Sequence, residues 1–232
     1  LKEFAKRTAV KQALLLSGRL DSVVNRELAL SQALSTDPTI QDWVRHEQDP
    51  ARMEKAMRQI DNYKKHFHSN DAFVALKSSR NYYIRMPLDS KERLKTSRLD
   101  PTNPFDAWFF RAMETVADHE LNMDYEPVLG KAKIWFNVIM RDQDGVKVGV
   151  TGTGIEVTDF IKAVISTDET GIQSQIIDRQ GAIVAHPDKS LVEHNAKYPT
   201  DPSRRITIFD RVKDPADAEK LHQALDRLDR GV

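Results

Sequence analysis

One cue occurs twice in this chain and constrains its fold more than any other: Ile139-Met-Arg-Asp142-Gln-Asp-Gly145-Val146, then Ile176-Ile177-Asp178-Arg-Gln-Gly181-Ala182-Ile183-Val184. Each copy reads as an apolar strand, an Asp three residues before a Gly to build a reverse turn, and a second apolar strand, which is a hairpin of an antiparallel sheet. The hairpins are separated by one helix-like stretch and preceded by a very long helix. That order predicts an α+β chain with two similar small modules in series.

The long helix is plain from residue 1 to 34, where no proline falls and only Gly18 interrupts good helix formers. Val10, Ala13 or Leu14, Leu20, Val24, Leu28 and Leu34 recur at three- and four-residue steps, leaving Lys, Arg, Glu and Gln on the other face. A helix of that length exceeds the globular mean of about 11 to 12 residues, so it is expected to run past its own module as a stalk or a dimer surface. Thr36-Asp37-Pro38 and Asp49-Pro50 each combine a cap with a proline in the first turn. Two further helices follow from them, one carrying Ile40, Trp43 and Val44, the other Ala56, Met57, Ile60 and Tyr63 and ending near Phe67.

Short β-rich runs come next at Ala72–Leu76 and Tyr82–Ile84, joined by the polar turn Lys77-Ser-Ser-Arg-Asn81. A polar loop is then expected, and Pro104 opens a helix rich in aromatics. Residues 132–140 and 146–153 form the long strands around the first Asp-Gly turn, and 156–165 a connecting helix with Val157, Phe160, Ile161 and Val164 on one face. In the second module the hairpin starts at Ile172, one more strand is expected at Ile206–Phe209, and a helix closes the chain from Pro215 to Leu228. Its sheet falls short of the usual four to six strands, about five being expected.

Composition removes several classes of function. With 35 basic and 35 acidic side chains the formal charge is zero, so no field over the whole chain favours nucleic acid or anionic lipid. The absence of cysteine removes disulfides, thiolate metal sites and cysteine nucleophiles. None of the seven histidines has ligand spacing; no metal and no cofactor are expected. Gly149-Val-Thr-Gly152-Thr-Gly154 lacks both the helix-opening context of a dinucleotide fingerprint and the Lys-Ser/Thr of a phosphate loop. Its glycines are expected instead to keep one strand face low, with room for a ligand above it. No nucleophile elbow is visible, so no catalytic residue is assigned. No apolar run approaches the roughly 20 residues of a membrane span, and the chain, which begins Leu-Lys-Glu-Phe, reads as a piece excised from a longer protein.

Candidate binding residues cluster around the aromatic helix. Trp108, Phe109 and Phe110 cannot share one helical face, so one packs in the core while another is placed to line a cavity. Tyr82 and Tyr83 point to opposite faces of their strand, and one of them can offer a hydroxyl. Asn137 shares a strand face with Trp135 and, buried among apolar neighbours, needs a partner from protein, ligand or water, because an unpaired amide costs about 1 to 3 kcal/mol.

The run from Asp106-Ala-Trp-Phe-Phe-Arg-Ala112 through Leu121-Asn-Met-Asp-Tyr-Glu126, Gly130-Lys131 and Asp142 to Gly145, ending at Gly149-Val-Thr-Gly-Thr-Gly-Ile155, resembles the double Cache (PDC) extracytoplasmic sensor domains of bacterial transmembrane receptors. Arg80-Asn-Tyr-Tyr83 and Asp106-Ala-Trp-Phe-Phe110 look most like members joined to cytoplasmic diguanylate cyclase (GGDEF) domains. The resemblance covers nearly the whole chain. It implies a stalk and dimer helix over 1–36, a membrane-distal, ligand-binding PAS-like module over 37–167 and a partial membrane-proximal module over 168–232. It also implies a ligand held between the first sheet and the aromatic helix, at positions that here read Asp106, Trp108, Phe109, Asp124 and Glu126; Tyr82, Tyr83 and Asn137 join them as candidates from the reading of the residues above. Amino-acid-binding members carry an Arg where Asp106 stands and an Asp where Gly154 stands, so a small polar or cationic ligand is expected rather than an ordinary amino acid. The implied protein is a homodimeric sensor in the bacterial inner membrane with this part in the periplasm, without nucleic-acid partners, touching the membrane only through flanking helices. A free extracytoplasmic binding module, without signalling output, is the alternative.

Overall fold

Helix α1 runs over Lys2–Thr36, and two aspartates set the helices that follow it. The Asp37 carboxylate accepts from the amides of Thr39 and Ile40 at 2.9 and 3.2 Å and opens α2, Pro38–Arg45. Asp49 repeats the device on Ala51 and Arg52 and opens α3, Pro50–Lys64. This computed structural model describes residues 2–87, 90–126, 131–157, 159–160, 174–177, 181–191 and 206–229, without the side chains of 2–6, 123–126, 131–132, 184–185, 189 and 228–229. The chain divides into two compact units, Asp21–Asn122 with Glu126–Glu156, and Leu1–Leu20 with Met123–Tyr125 and Val157–Val232.

The larger unit is built on a six-stranded sheet of β1 (Ala72–Leu76), β2 (Asn81–Arg85), β3 (Leu94–Arg98), β4 (His119–Glu126), β5 (Lys131–Arg141) and β6 (Lys147–Glu156). Their spatial order is β3-β2-β1-β6-β5-β4. Pairing is antiparallel, with Val74 opposite Tyr83 on one side of β1 and Thr151 on the other. Every residue of β1 is buried, as a central strand covered on both faces requires. Ala72, Val74 and Leu76 join Leu34, Trp43, Ile60 and Tyr83 under the three helices. Phe73 and Ala75 join Tyr82, Phe109, Trp135 and Ile139 under α4, Ala107–Thr115. The expected hairpin closes as read: Asp142 accepts from the amides of Asp144 and Val146, and Gly145 takes φ +79, the left-handed region a side chain would disfavour.

Two expectations are corrected, and one strand for which none was stated is added. The polar loop after β2 contains β3, an edge strand whose Thr96, Ser97 and Arg98 are exposed, so no apolar alternation marks it and backbone pairing to β2 alone defines it. β4 is a strand too, although His119–Glu126 lacks an apolar run. In the smaller unit Ile206–Phe209 is not a strand: Thr207 makes a single bridge to Ala182, and a 3₁₀ turn follows over Ile208–Arg211. The Asp210 carboxylate accepts from the Thr207 amide and hydroxyl at 3.0 and 2.8 Å, and so diverts the chain. The second hairpin pairs β7 (Ile176–Ile177) with β8 (Ile183–Ala185), while Asp178 lies outside the described residues. Of the expected connecting helix, Glu156 ends β6, residues 157, 159 and 160 are helical, and 158 and 161–165 lie outside the described residues. Helix α5 spans Pro215–Asp229. No helix among the described residues is long and apolar enough to cross a membrane.

Candidate functional site

The aromatic face of the sheet is roofed by α4, and both ends of that helix are tied down. At its start, Asn103 caps the amide of Phe105 at 3.1 Å. The Asp106 carboxylate accepts from the Asp100 amide at 2.8 Å and the Asn103 side chain at 3.2 Å. At its end the Lys147 ammonium donates to the Met113 carbonyl at 2.9 Å, a cation placed at the negative pole of the helix. Arg111 and Glu120 make a two-pronged ion pair at 2.5 and 3.0 Å, joining the roof to β4.

Beneath it the rings interlock edge to face. Phe73 lies 5.7 Å from Tyr82, 5.7 Å from Trp108 and 5.5 Å from Trp135, and Trp108 lies 5.8 Å from both Tyr82 and Phe109. Each such pair adds about 0.5–1.5 kcal/mol to the area it buries. Tyr82, Phe109 and Trp135 are buried, whereas Trp108 and Phe110 are half-buried.

The residues expected to bind are therefore only partly assembled. Tyr82, Trp108 and Phe109 share this face. Tyr83 lies on the opposite one, edge-on to Trp43 at 5.1 Å with its hydroxyl donating to Glu47 at 2.8 Å; burial and that carboxylate push its pKa up to about 12. It cannot line a pocket with Trp108. Asp106 is turned onto its own loop. The Asn137 amide donates to the Asn122 side chain at 2.7 Å, so protein supplies its partner. Asp124 and Glu126 stand on β4, and their side chains lie outside the described residues.

The glycines of β6 do not hold a strand face low for a ligand. A Cβ on Gly154 would meet the Trp135 ring at 2.7 Å and the Lys133 chain at 3.0 Å, and one on Gly152 would meet the Phe136 carbonyl oxygen at 1.8 Å. They permit close approach of ring and backbone, and that space is filled.

Two residues not singled out in the sequence shape this end of the face. Lys133, two residues before Trp135 and so on its side of β5, is 2% exposed. Its ammonium is ion-paired with Asp71, donates to the Gly154 carbonyl at 3.1 Å, and lies 5.3 Å from the Trp135 ring centre. Burial holds the Asp71 carboxyl above the usual carboxylate range, although Lys133, the Gly154 amide and the Thr153 hydroxyl at 3.3 Å work against it. A lysine at an inward position of an otherwise apolar strand, with an aspartate just before a buried strand, was the signal available.

No protein-family model matches the chain. Among solved structures it is similar to the ligand-binding domain of the Pseudomonas aeruginosa amino acid chemoreceptor PctC in complex with GABA, with TM-score 0.61 and 17% identity over 81% of this chain and 79% of that one. The extracellular domain of vpHK1S-Z8, a protein of the histidine kinase class, matches with TM-score 0.67 and 11% identity over 88% and 76% of the two chains. A domain of a sensory box/GGDEF family protein from Vibrio parahaemolyticus matches with TM-score 0.62 and 9% identity over 98% and 83%. The resemblance to the Cache sensor domains drawn from the residues thus holds for the fold.

Proposed function

We propose that the chain is the extracytoplasmic small-molecule sensor domain of a bacterial membrane signalling receptor, with its ligand site on the α4 face of the larger unit. The observation that carries this reading is the half-buried Trp108–Phe110 roof over a sheet of the fold found in chemoreceptor ligand-binding domains. An aromatic face attracts cations, and a protonated amine is the ligand group it would favour. The solved relative PctC, bound to GABA, makes amine-bearing small molecules the first class to try.

In this reading residues 37–167 form the membrane-distal module, 168–232 the membrane-proximal one, and α1 the stalk of a homodimer whose flanking segments reach the membrane. Trp108, Phe109 and Tyr82 contact the ligand; Asp124 and Glu126 are the candidate carboxylates. Signalling requires the ligand to favour one arrangement of roof and stalk over the other, and about 5.5 kcal/mol of differential binding would carry the population from 1:99 to 99:1.

The test is a thermal-shift and calorimetric screen of amines, organic acids, polyols and amino acids on this chain and on Trp108→Ala. The expected result is saturable stabilisation by an amine-bearing compound that the variant loses. Stabilisation that survives Trp108→Ala unchanged would move the site elsewhere, and no stabilisation by any class would remove the sensor reading.

A further inference from the structure

The helical side of the larger unit carries a second feature, a groove of about 700 Å³ along the outer surface of α3. Lys55, Arg58 and Lys65 line it from one side, and since 55, 58, 62 and 65 follow one another by three and four residues they stand on a single helical face. Arg93, just before β3, lines it from the other side.

Its acidic group, Asp61, is already over-supplied with positive charge. The Arg85 guanidinium donates to both carboxylate oxygens at 2.8 and 2.6 Å, Arg93 donates at 3.0 Å, and the buried Lys64 ammonium stands at 3.3 Å. Three cations on one carboxylate leave an excess of two positive charges. Burial alone would raise the Asp61 carboxyl, but Arg85 and Lys64 outweigh it and hold the group ionised below its ordinary range. Glu54 offsets Arg58 on the helix surface. Lys55 and Lys65 have no carboxylate partner among the described residues; Lys65 reaches only the Asn62 amide oxygen at 3.3 Å.

The groove's own lining sets Lys55, Arg58, Lys65 and Arg93 against Asp61, so it is net positive in a chain whose charges sum to zero. Exposed lysines scattered over a convex surface would be screened and hydrated. Here they border a hollow that Asp61 and the Arg93 guanidinium bound to it also line, and a guanidinium presents donors in a fixed fork suited to planar or tetrahedral oxyanions. The groove is too small for a folded partner, and zero net charge provides no field to gather a nucleic acid. We propose that this groove binds a small multivalent anion, a phosphate or polycarboxylate, at a site distinct from the aromatic face. Arg93 and Lys65 would grip it from opposite walls, with Lys55 closing the open end.

The proposal is tested by isothermal titration of the chain with inorganic phosphate and, separately, with citrate, at low salt and at physiological ionic strength. One saturable site is expected for at least one probe. Its affinity should fall about tenfold or more in Lys55→Gln/Lys65→Gln and again in Arg93→Gln, as loss of charge-assisted hydrogen bonds implies. All three side chains are exposed, and Asp61 keeps Arg85 and Lys64 in the last variant, so folding should survive. A control, Lys77→Gln/Lys91→Gln, removes the same charge elsewhere and should leave binding unchanged. Absence of saturable binding with both probes, equal loss in the control, or unaltered binding in both groove variants would overturn the proposal. Binding retained in Trp108→Ala separates this site from the aromatic one, so either can fail without the other.

Discussion

The two faces of the central sheet are closed by different means. Under α1, α2 and α3 the apolar core is ringed by hydrogen-bonded carboxylates, although among the described residues the buried Ser31 hydroxyl and the Trp43 indole N–H have no partner. Glu27 accepts from the His68 amide at 3.1 and 3.2 Å, Asp37 from Gln59 at 2.9 Å and Tyr63 at 3.2 Å, and Glu47 from Ser79, Asn81 and Tyr83. Under α4 a single nine-residue helix covers interlocked rings, and polar ties sit at its two ends and at Lys133. Satisfied buried networks fix one arrangement, because each displaced group would lose a partner in low dielectric. Under α4 the contacts are edge-to-face ring pairs, each worth about 0.5–1.5 kcal/mol beyond the area buried. The comparison predicts that the helical face holds more firmly than the aromatic face, on which the proposed ligand site lies.

The sharpest way to break this comparison is to remove one large ring from each face. Trp43 is fully buried, and Trp43→Ala should cost about 3–5 kcal/mol. Trp108 is half-buried, and Trp108→Ala should cost under about 2 kcal/mol. Urea unfolding followed by fluorescence and circular dichroism would measure both; equal losses would erase the distinction.

Next in size is the ion pair at the end of the aromatic face. Lys133→Met leaves the Asp71 carboxylate buried and unpaired, at a cost of about 3 kcal/mol at neutral pH. Asp71 already has a raised pKa, and the sign follows: a carboxyl raised in the folded state is least costly below its unfolded pKa and most costly once pH has risen through its folded value. The deficit should accordingly shrink as pH falls from neutral toward the unfolded carboxylate value of about 3.9, and Asp71→Leu combined with Lys133→Met should restore most of it. A deficit independent of pH would mean that packing of the Lys133 chain against Trp135, not its charge, is what matters.

Much of the helical face was legible because its signals are local. Asp-Pro caps at residues 37 and 49, the three-to-four-residue stripe Ala56-Met57-Ile60 and the all-apolar β1 need no knowledge of distant partners. The aromatic face was legible as composition but not as geometry. Nothing between Asp100 and Asp106 announces that the second carboxylate folds back on the first residue's amide, and the Asn122–Asn137 pair joins positions on neighbouring strands that only the register identifies. The same holds for β3, whose place is dictated by the strand beside it. Residues whose role depends on tertiary pairing leave a charge or an amide in an apolar run and no indication of its partner.

A smaller effect probes the opposite side. Asp61→Asn should cost about 1–2 kcal/mol, since three cations lose their shared anion while Arg85 and Arg93 stay partly solvated. Asp61 is depressed in the folded state, so its stabilisation is present above the unfolded value of about 3.9 and is lost as pH falls through the lower folded one. The wild-type advantage in melting temperature should be level from pH 7 to 5 and vanish in stronger acid.

The smallest expected change separates the two tyrosines that stand side by side on β2. Tyr83→Phe removes the hydrogen bond to Glu47 at a cost of about 1 kcal/mol, because the carboxylate keeps Ser79 and Asn81 as donors. Its titration gives the effect a direction. The phenol is raised to about 12, so the stabilisation is complete below the unfolded value of about 10 and fades as pH climbs from there through the folded value. Denaturation midpoints of wild type and Tyr83→Phe should converge over that window. Because Tyr83 faces the helices, the ligand binding proposed for the α4 face should be unaltered by the substitution at neutral pH, whereas Tyr82→Phe or Tyr82→Ala, on the ring-lined side, should change it. A Tyr83→Phe variant that lost ligand binding while keeping its stability would show that the two faces communicate, and that the holding face also takes part in the response.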